Sequence, residues 1–255
     1  MSTTLSSALI ACDLDWIVPI WGGPSRVRAM FTTRRSGVHA DAATSFNLGS
    51  ARPASGTNID AVTENRRRLR ELLPADPVWL QQVHGIDVVE IGAVPEFPLV
   101  ADAAVTRLAE TVLTVRTADC LPVLLANRAG TVLAVAHAGW RGLAAGVLEN
   151  VVSAMGAPAD EISAWIGPGI GAQAFEVGPD VVAAFGGDAT AFFQPQREGK
   201  WMADLAGLAR QRLTRVGLCD IAGGQWCTHT DAARFFSYRR DKDAGRMALV
   251  AWLAR

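Results

Sequence analysis

Apolar and polar positions change period several times along the chain, and those changes mark out its elements. Residues 30–49 begin with a short apolar entry, pass through Thr32-Thr33-Arg34-Arg35-Ser36-Gly37 and end in Ser45-Phe46-Asn47-Leu48-Gly49. This predicts a strand followed by a long loop, the kind of segment in which binding groups gather. From Asn58 or Asp60 to Leu73, apolar Val62, Leu69, Leu72 and Leu73 recur at helical spacing behind a capping residue, and Pro74 ends the run. Arg66, Arg67, Arg68 and Arg70 read as the solvated face of that helix. Val78-Trp79-Leu80, Val88-Val89-Glu90-Ile91 and the β-branched run 111–115 read as strands. A hairpin follows, with strands at 121–126 and 131–136 about the turn Asn127-Arg128-Ala129-Gly130. Residues 143–155 read as a helix, 162–166 as a strand, and 179–185 and 203–216 as two more helical stretches. Strands mixed with helices in no regular βαβ alternation predict the α+β class. No internal repeat or low-complexity linker divides the chain, so residues 1–255 read as one domain.

The hairpin has a chemical consequence. With its turn at 127–130, residue 126 faces residue 131, and an ideal antiparallel register sets Cys120 opposite His137, Cβ atoms roughly 4.5–5.5 Å apart. Pro122 cannot donate to that ladder and is a place where it can slip. His84, in Gln81-Gln82-Val83-His84-Gly85 between two strands, stands on a glycine-flanked corner as the candidate third donor. A His, Cys, His set suits Zn²⁺ with an open fourth position. The same atoms also fit an inert buried pair, or a Cys120 nucleophile activated by His137.

Composition narrows the class. Of 255 residues, 50% are hydrophobic and 19% charged, which excludes fibrous and disordered chains and allows a sizeable core. Lys and Arg number 24 against 25 Asp and Glu, a formal charge of −1, so no global field draws nucleic acid or an acidic membrane. Cys12, Cys120, Cys219 and Cys227 are scattered and not framed as a disulfide scaffold, which fits a reducing cytoplasm. The Ala8-Leu9-Ile10-Ala11-Cys12 run has no basic flank and stops at Asp13, too short for a secretory segment. No apolar run approaches membrane-spanning length. The expectation is a soluble, cytoplasmic monomer.

Six segments then stand out together: Gln82-Val83-His84-Gly85, Thr117-Ala118-Asp119-Cys120-Leu121-Pro122, Ala136-His137-Ala138-Gly139-Trp140-Arg141-Gly142, Ile166-Gly167-Pro168-Gly169-Ile170, Phe175-Glu176-Val177-Gly178 and Phe235-Phe236-Ser237-Tyr238-Arg239-Arg240-Asp241. In this order, from about residue 30 to the C-terminus, the chain resembles the laccase-domain family, once labelled multicopper polyphenol oxidases and later assigned as purine nucleoside phosphorylases. The resemblance implies that His84, Cys120 and His137 hold a metal, zinc in most members. It implies phosphorolysis of adenosine, inosine and 5′-methylthioadenosine, together with adenosine deamination. It also implies a layered α/β/β/α sandwich with mixed sheets, related to bacterial toxins with cysteine-histidine deamidase sites. One branch of the family is described as a peptidoglycan-precursor editing amidase. The older oxidase label fails on counting: a blue site plus a three-copper cluster needs about ten imidazoles, and the chain has four histidines. Copper remains an alternative occupant of a single His, Cys, His site.

Phosphorolysis needs a phosphate beside the sugar C1′, stabilisation of an oxocarbenium-like transition state and help for the departing base. Arg34 and Asn47 in the long loop, Gln82 beside the His84 corner and Arg141 after the His137 strand are the candidate substrate and phosphate contacts. After Arg34 the family usually has Gly-Gly-Val-Ser where this chain has Ser36-Gly37-Val38-His39. Cys120, His137 and Asp119 are the candidate catalytic residues, with Asp102 and Glu176 as further carboxylates able to move protons or orient a histidine. The cytidine-deaminase signature is absent, and Gly167-Pro168-Gly169-Ile170-Gly171 reads as a shaped turn and not a dinucleotide loop. Beside the zinc-dependent phosphorylase stand two other expectations, a Cys120–His137 amidase and a metal-holding partner module without turnover.

Overall fold

The computed structural model describes residues 14–35, 45–49, 59–92, 99–242 and 245–255. The apolar run ending at Cys12, the Ser36-Gly37-Val38-His39 segment and the candidate cap Asn58 lie outside the described residues.

Alternation of side chains along the central strands builds the layers. In β6 (Leu121–Asn127) and β7 (Leu133–Ala138), Val123, Leu125, Ala134 and Ala136 face one way and Leu124, Ala126, Leu133 and Val135 the other. The first set packs on α3 (Val147–Met155) through Val147, Leu148 and Val151 and on α5 (Leu205–Arg215) through Leu208 and Ala209. The second set meets Leu113 and Val115 of β5 (Val112–Thr117) and Leu249 and Ala251 of β13 (Met247–Leu253). The opposite face of those two strands, with Val112, Ala248 and Val250, packs on Leu69 of α1 (Ile59–Glu71). The order is therefore helix, sheet, sheet, helices. Both faces of each sheet are apolar, which is why these strands read as continuous hydrophobic runs and not as alternating ones. Truncating one central side chain, as in Leu124→Ala, costs about 2–5 kcal/mol.

The four-stranded sheet runs β1 (Val27–Phe31), β13, β5, β2 (Pro77–Trp79), antiparallel except for the β2–β5 pair. The six-stranded sheet runs β12 (Asp220–Gly223), β8 (Ile162–Ile166), β6, β7, β4 (Ala103–Thr106), β3 (Val88–Glu90), with parallel pairs at its two edges. A small antiparallel sheet, β9 (Glu176–Val177), β10 (Phe193–Arg197) and β11 (Lys200–Ala203), and α4 (Pro179–Phe185) complete the helical side. The chain passes from one sheet to the other at 118–120, between β5 and β6, and that crossing carries Cys120.

Three sequence expectations change. The helix expected over 143–155 starts earlier, as α2 (Trp140–Ala145), and breaks at Gly146, whose φ of 104° ends one helix and begins the next. Among the α1 arginines, Arg67, Arg68 and Arg70 pair on the surface with Glu64, Glu71 and Asp76, but Arg66 turns inward. The β6–β7 register is Pro122 opposite His137 and Leu121 opposite Ala138, two residues away from the expected Cys120–His137 pair. The turn does close at 127–130, by Gly130 N–H donating to Asn127 O (2.9 Å), but Asn127 Oδ1 also accepts from the N–H groups of Thr131 and Val132 (2.9 Å each). That side chain holds Thr131 and Val132 in the loop, so the ladder begins with Ala126 opposite Leu133 and not opposite Thr131. A shift of two keeps each side chain on its face, and Cys120 and His137 remain neighbours.

Candidate metal centre

Asp102 organises the site from below. It is fully buried just before β4, and the β4–β7 register that sets Ala103 opposite Ala136 brings it opposite His137. Its carbonyl accepts the His137 N–H (2.7 Å) and its Oδ1 lies 2.8 Å from His137 Nδ1. The same carboxylate accepts three successive backbone N–H groups, from Val83 (3.1 Å), His84 (2.9 Å) and Gly85 (2.7 Å). These bonds hold His84 at a φ of 62°, an unfavourable region for a side chain with a Cβ. One carboxylate thus fixes two histidines. With Nδ1 bonded to Asp102, His137 turns its Nε2 to the cleft, the carboxylate–histidine arrangement common behind metal ligands.

His84, Cys120 and His137 offer donor atoms that all lie within 4.8 Å of one another. The two imidazoles meet edge to face with centroids 4.8 Å apart. Space for this depends on Gly139: a Cβ there would lie 2.9 Å from Cys120 Sγ and 3.0 Å from His84 Cδ2. Burial opposes charge on the Cys120 thiol, yet His137 and His84 outweigh it and bring its pKa down to about 6. Burial likewise opposes the charged form of His137, while Cys120 and Asp102 push its pKa up to about 9. Burial would raise the Asp102 pKa, but His137 and the Gly85 and Val83 N–H groups hold it below the usual carboxylate range. Two imidazoles, an ionisable thiol and an orienting carboxylate fit a single ion of the zinc type. Among the described residues no other group of three or more His, Cys, Asp or Glu converges in this way.

The group opens on a cleft of about 590 Å³, within the range of small-ligand sites. Trp140, Phe175 and Tyr238 supply aromatic wall, and Arg116, Arg141, Arg239 and Arg246 supply positive charge. Arg141 stacks on Trp140 (4.3 Å) and Arg239 on Phe175 (5.2 Å).

The remaining sequence candidates are placed as follows. Asp119, at a φ of 88°, lines the cleft, but its carboxylate accepts from Thr228 Oγ1 (2.6 Å), Ser237 Oγ (3.1 Å) and the Arg239 N–H (2.6 Å). Gln82 also lines the cleft; its side-chain amide pairs with the backbone of Arg116, donating to the carbonyl (2.8 Å) and accepting from the N–H (2.9 Å). Arg34 and Asn47 are not among the cleft-lining residues. Arg34 donates to Ala232 O (3.0 Å) and stacks on Phe236. Asn47 Oδ1 accepts from the N–H groups of Gly49 (2.8 Å) and Arg246 (2.9 Å), tying the loop to the start of β13. Glu176 pairs with Arg197 at 2.9 Å. Arg116 and Arg246 escaped the sequence reading. For Arg116 the available signal was a charged residue in the buried and otherwise uncharged strand 112–117.

Layered mixed sheets and this cleft define an α+β protein with a candidate single-ion His–Cys–His centre. A family model described as multi-copper polyphenol oxidoreductase laccase matches residues 28–254, and the chain belongs to that family. It is 48% identical over 246 residues to the Pseudomonas aeruginosa protein named purine nucleoside phosphorylase PA4543, covering 93% of this chain and 98% of the relative. It is 50% identical over 242 residues to purine nucleoside phosphorylase YfiH of Escherichia coli, with the same coverage of 93% and 98%. The Neisseria meningitidis protein NMB0706 has a similar crystal structure, with a TM-score of 0.86, 43% identity, and 94% of this chain and 100% of that chain covered. None of the helices in the described residues is long and apolar enough to cross a membrane.

Proposed function

We propose that the chain cleaves purine nucleosides with phosphate at this cleft, with Zn²⁺ held by His84, Cys120 and His137. Inosine, adenosine and 5′-methylthioadenosine are the substrates proposed. The observation that carries this reading is the His–Cys–His group, braced by Asp102, on a cleft of nucleoside size, in a chain about half identical to relatives bearing the phosphorylase name.

In the reaction the C1′–N9 bond breaks with its electron pair leaving on the purine, a phosphate oxygen bonds to C1′, and the base takes up a proton. A zinc ion in the site supplies a Lewis acid and concentrated positive charge next to the reacting atoms. The chain's residues position the rest. Asp102 keeps His137 in the tautomer that aims Nε2 into the cleft. Trp140, Phe175 and Tyr238 offer faces for a flat base, and their walls keep water away from a cationic sugar. Asp119, in this proposal, acts through position: it ties the Cys120 crossing to Thr228, Ser237 and the backbone of Arg239. With its oxygens so engaged, adenosine deamination is assigned as a secondary reaction.

The test is turnover of purified, metal-quantified protein on inosine and adenosine with and without phosphate, beside Cys120→Ala. Hypoxanthine and ribose 1-phosphate are expected from inosine only when phosphate is present, with about one zinc per chain. Cys120→Ala is expected to lose the metal and at least about a hundredfold in rate. Base release that ignores phosphate, or a folded, metal-free variant with full activity, overturns the reading.

A second reading rests on the sequence of contacts Cys120, His137, Asp102, which is also that of a nucleophile, its base and the orienting carboxylate. An amidase of this type works without metal and without phosphate, so the same experiment separates the two.

A further inference from the structure

The cleft also concentrates positive charge that the metal chemistry leaves unused. Arg116 of β5 pairs in register with Ala248 of β13, and Arg246 lies two residues before Ala248. Their side chains therefore leave the same face of the four-stranded sheet from diagonal positions, roughly 7–8 Å apart, and both line the cleft. Arg66 reaches that face from α1, and its guanidinium and that of Arg116 stack on the Trp79 ring, 4.7 and 5.5 Å from its centroid.

Compensation for the charge of Arg116 and Arg66 is sparse. Arg116 is only 8% exposed. It donates to the carbonyls of Leu80 (2.8 Å) and Gly49 (3.4 Å), and Arg66 donates to that of Leu48 (2.9 Å). Neither has a carboxylate within ion-pair reach among the described residues, whereas Arg67, Arg68 and Arg70 on the same helix all do. Burial first, then the charges of Arg66 and Arg246, lower the Arg116 pKa to about 10. A buried guanidinium among like charges is costly unless an anion is there to meet it. Of the two reactants, the nucleoside is neutral and phosphate is the anion. Guanidinium forks match phosphate oxygens in geometry as well as charge.

We infer that Arg116 and Arg246, backed by Arg66, form the phosphate subsite of the cleft. This rests on the phosphorylase reading above and specifies where its charged reactant binds. Gln82 acts here as a positioning residue, since its amide clamps the Arg116 backbone. Asn47 stands behind the subsite through its bond to the Arg246 N–H.

The experiment titrates the zinc-loaded protein with inorganic phosphate, by calorimetry or phosphorus NMR, and in parallel measures KM for phosphate and for inosine. The variants are Arg116→Gln, Arg246→Gln and Arg116→Lys, each checked for folding by circular dichroism. Arg246→Gln, on the less buried residue, keeps the test open should Arg116→Gln fail to fold. Expected are a roughly ten- to hundredfold weaker phosphate Kd and higher phosphate KM in the Gln variants, inosine KM within about twofold, and partial recovery in Arg116→Lys. Phosphate binding that is absent from the parent protein, or unchanged in folded Gln variants, overturns the subsite. If the parent binds phosphate, the Gln variants lose it and inosine is still not cleaved, the subsite stands and the phosphorylase reading falls.

Discussion

On the six-stranded side of the cleft, Asp102 meets three backbone N–H groups and His137, and the Cys120 thiol sits against that histidine, so charge is balanced within the protein. On the four-stranded side, Arg66 and Arg116 share one tryptophan ring and, among the described residues, their guanidinium hydrogen bonds go only to carbonyls. Asp102, His137 and Arg116 are all buried, so burial alone does not explain the contrast. A balanced wall keeps donor atoms in place with or without a ligand. An unbalanced wall stores attraction for something that arrives. On the phosphorylase reading proposed above, the first wall would hold the ion and the second would seat an anion that enters and leaves as part of an ester.

The comparison breaks most readily at Asp102. Asp102→Asn places an amide donor against backbone donors and removes the charge facing His137. It is expected to weaken metal binding about 10–100-fold and to cost about 1–3 kcal/mol of stability, read by competition with a chelator and by denaturant unfolding. Unchanged metal affinity would remove Asp102 from the balanced wall. A narrower perturbation is Gly139→Ala. With a φ of −68° the backbone accepts alanine, so the effect falls on the ligands, whose Sγ and Cδ2 atoms would lie 2.9 and 3.0 Å from the new methyl. Metal affinity is expected to drop about tenfold while the melting temperature of the metal-free protein moves by a few degrees at most. Equal loss in both measurements would mean that Gly139 serves folding and not the centre.

The unbalanced wall is sharpened by ligand-linked stability. Phosphate at ten times its Kd is expected to stabilise the parent by about 1.4 kcal/mol and Arg246→Gln hardly at all, in thermal melts at constant ionic strength. Chloride producing the same gain would reduce the effect to general screening. The smallest effect concerns protons. In metal-free protein, thiolate absorbance of Cys120 is expected to rise with a midpoint near 6, not the ordinary 9.0, and to vanish in Cys120→Ser. Because the folded value is the lower one, the stability this thiol contributes is fully present above pH 9.0 and is lost as pH falls through about 6. His137 runs the other way: its folded value is raised, so its contribution is complete below pH 6.5 and lost as pH rises through about 9. A thiolate midpoint near 9 would uncouple Cys120 from His137.

Much of the fold was visible as pattern: most strands of the six-stranded sheet, the α1 helix and its proline stop, and the mixed order of elements. β13 was not. Met247-Ala248-Leu249-Val250-Ala251-Trp252-Leu253 has no polar alternation because both of its faces are covered, and a run of that kind is as compatible with a buried helix as with a strand. The metal donors were legible because His84, Cys120 and His137 lie in short distinctive segments. Their contact was anticipated through a register that the Asn127 side chain then displaced by two residues, a shift that alternation forgives and that a shift of one would not have been. The contacts proposed for phosphate were harder to read. Arg34 and Asn47 carry suitable groups in a loop, yet those groups are bonded to Ala232, Gly49 and Arg246, whereas Arg116 stood just past the strand expected over 111–115.

By itself, the sequence determined which residue types were available, since short-range pattern encodes strand, helix and turn, and four histidines limit the chemistry to a small centre. Only the tertiary structure decided how they were used. That Asp102 serves two histidines from different segments, and that arginines from α1 and β5 meet at one tryptophan, follow from pairings between residues far apart in the chain. Charge balance is a property of such neighbours in space, and no local period in a sequence carries it.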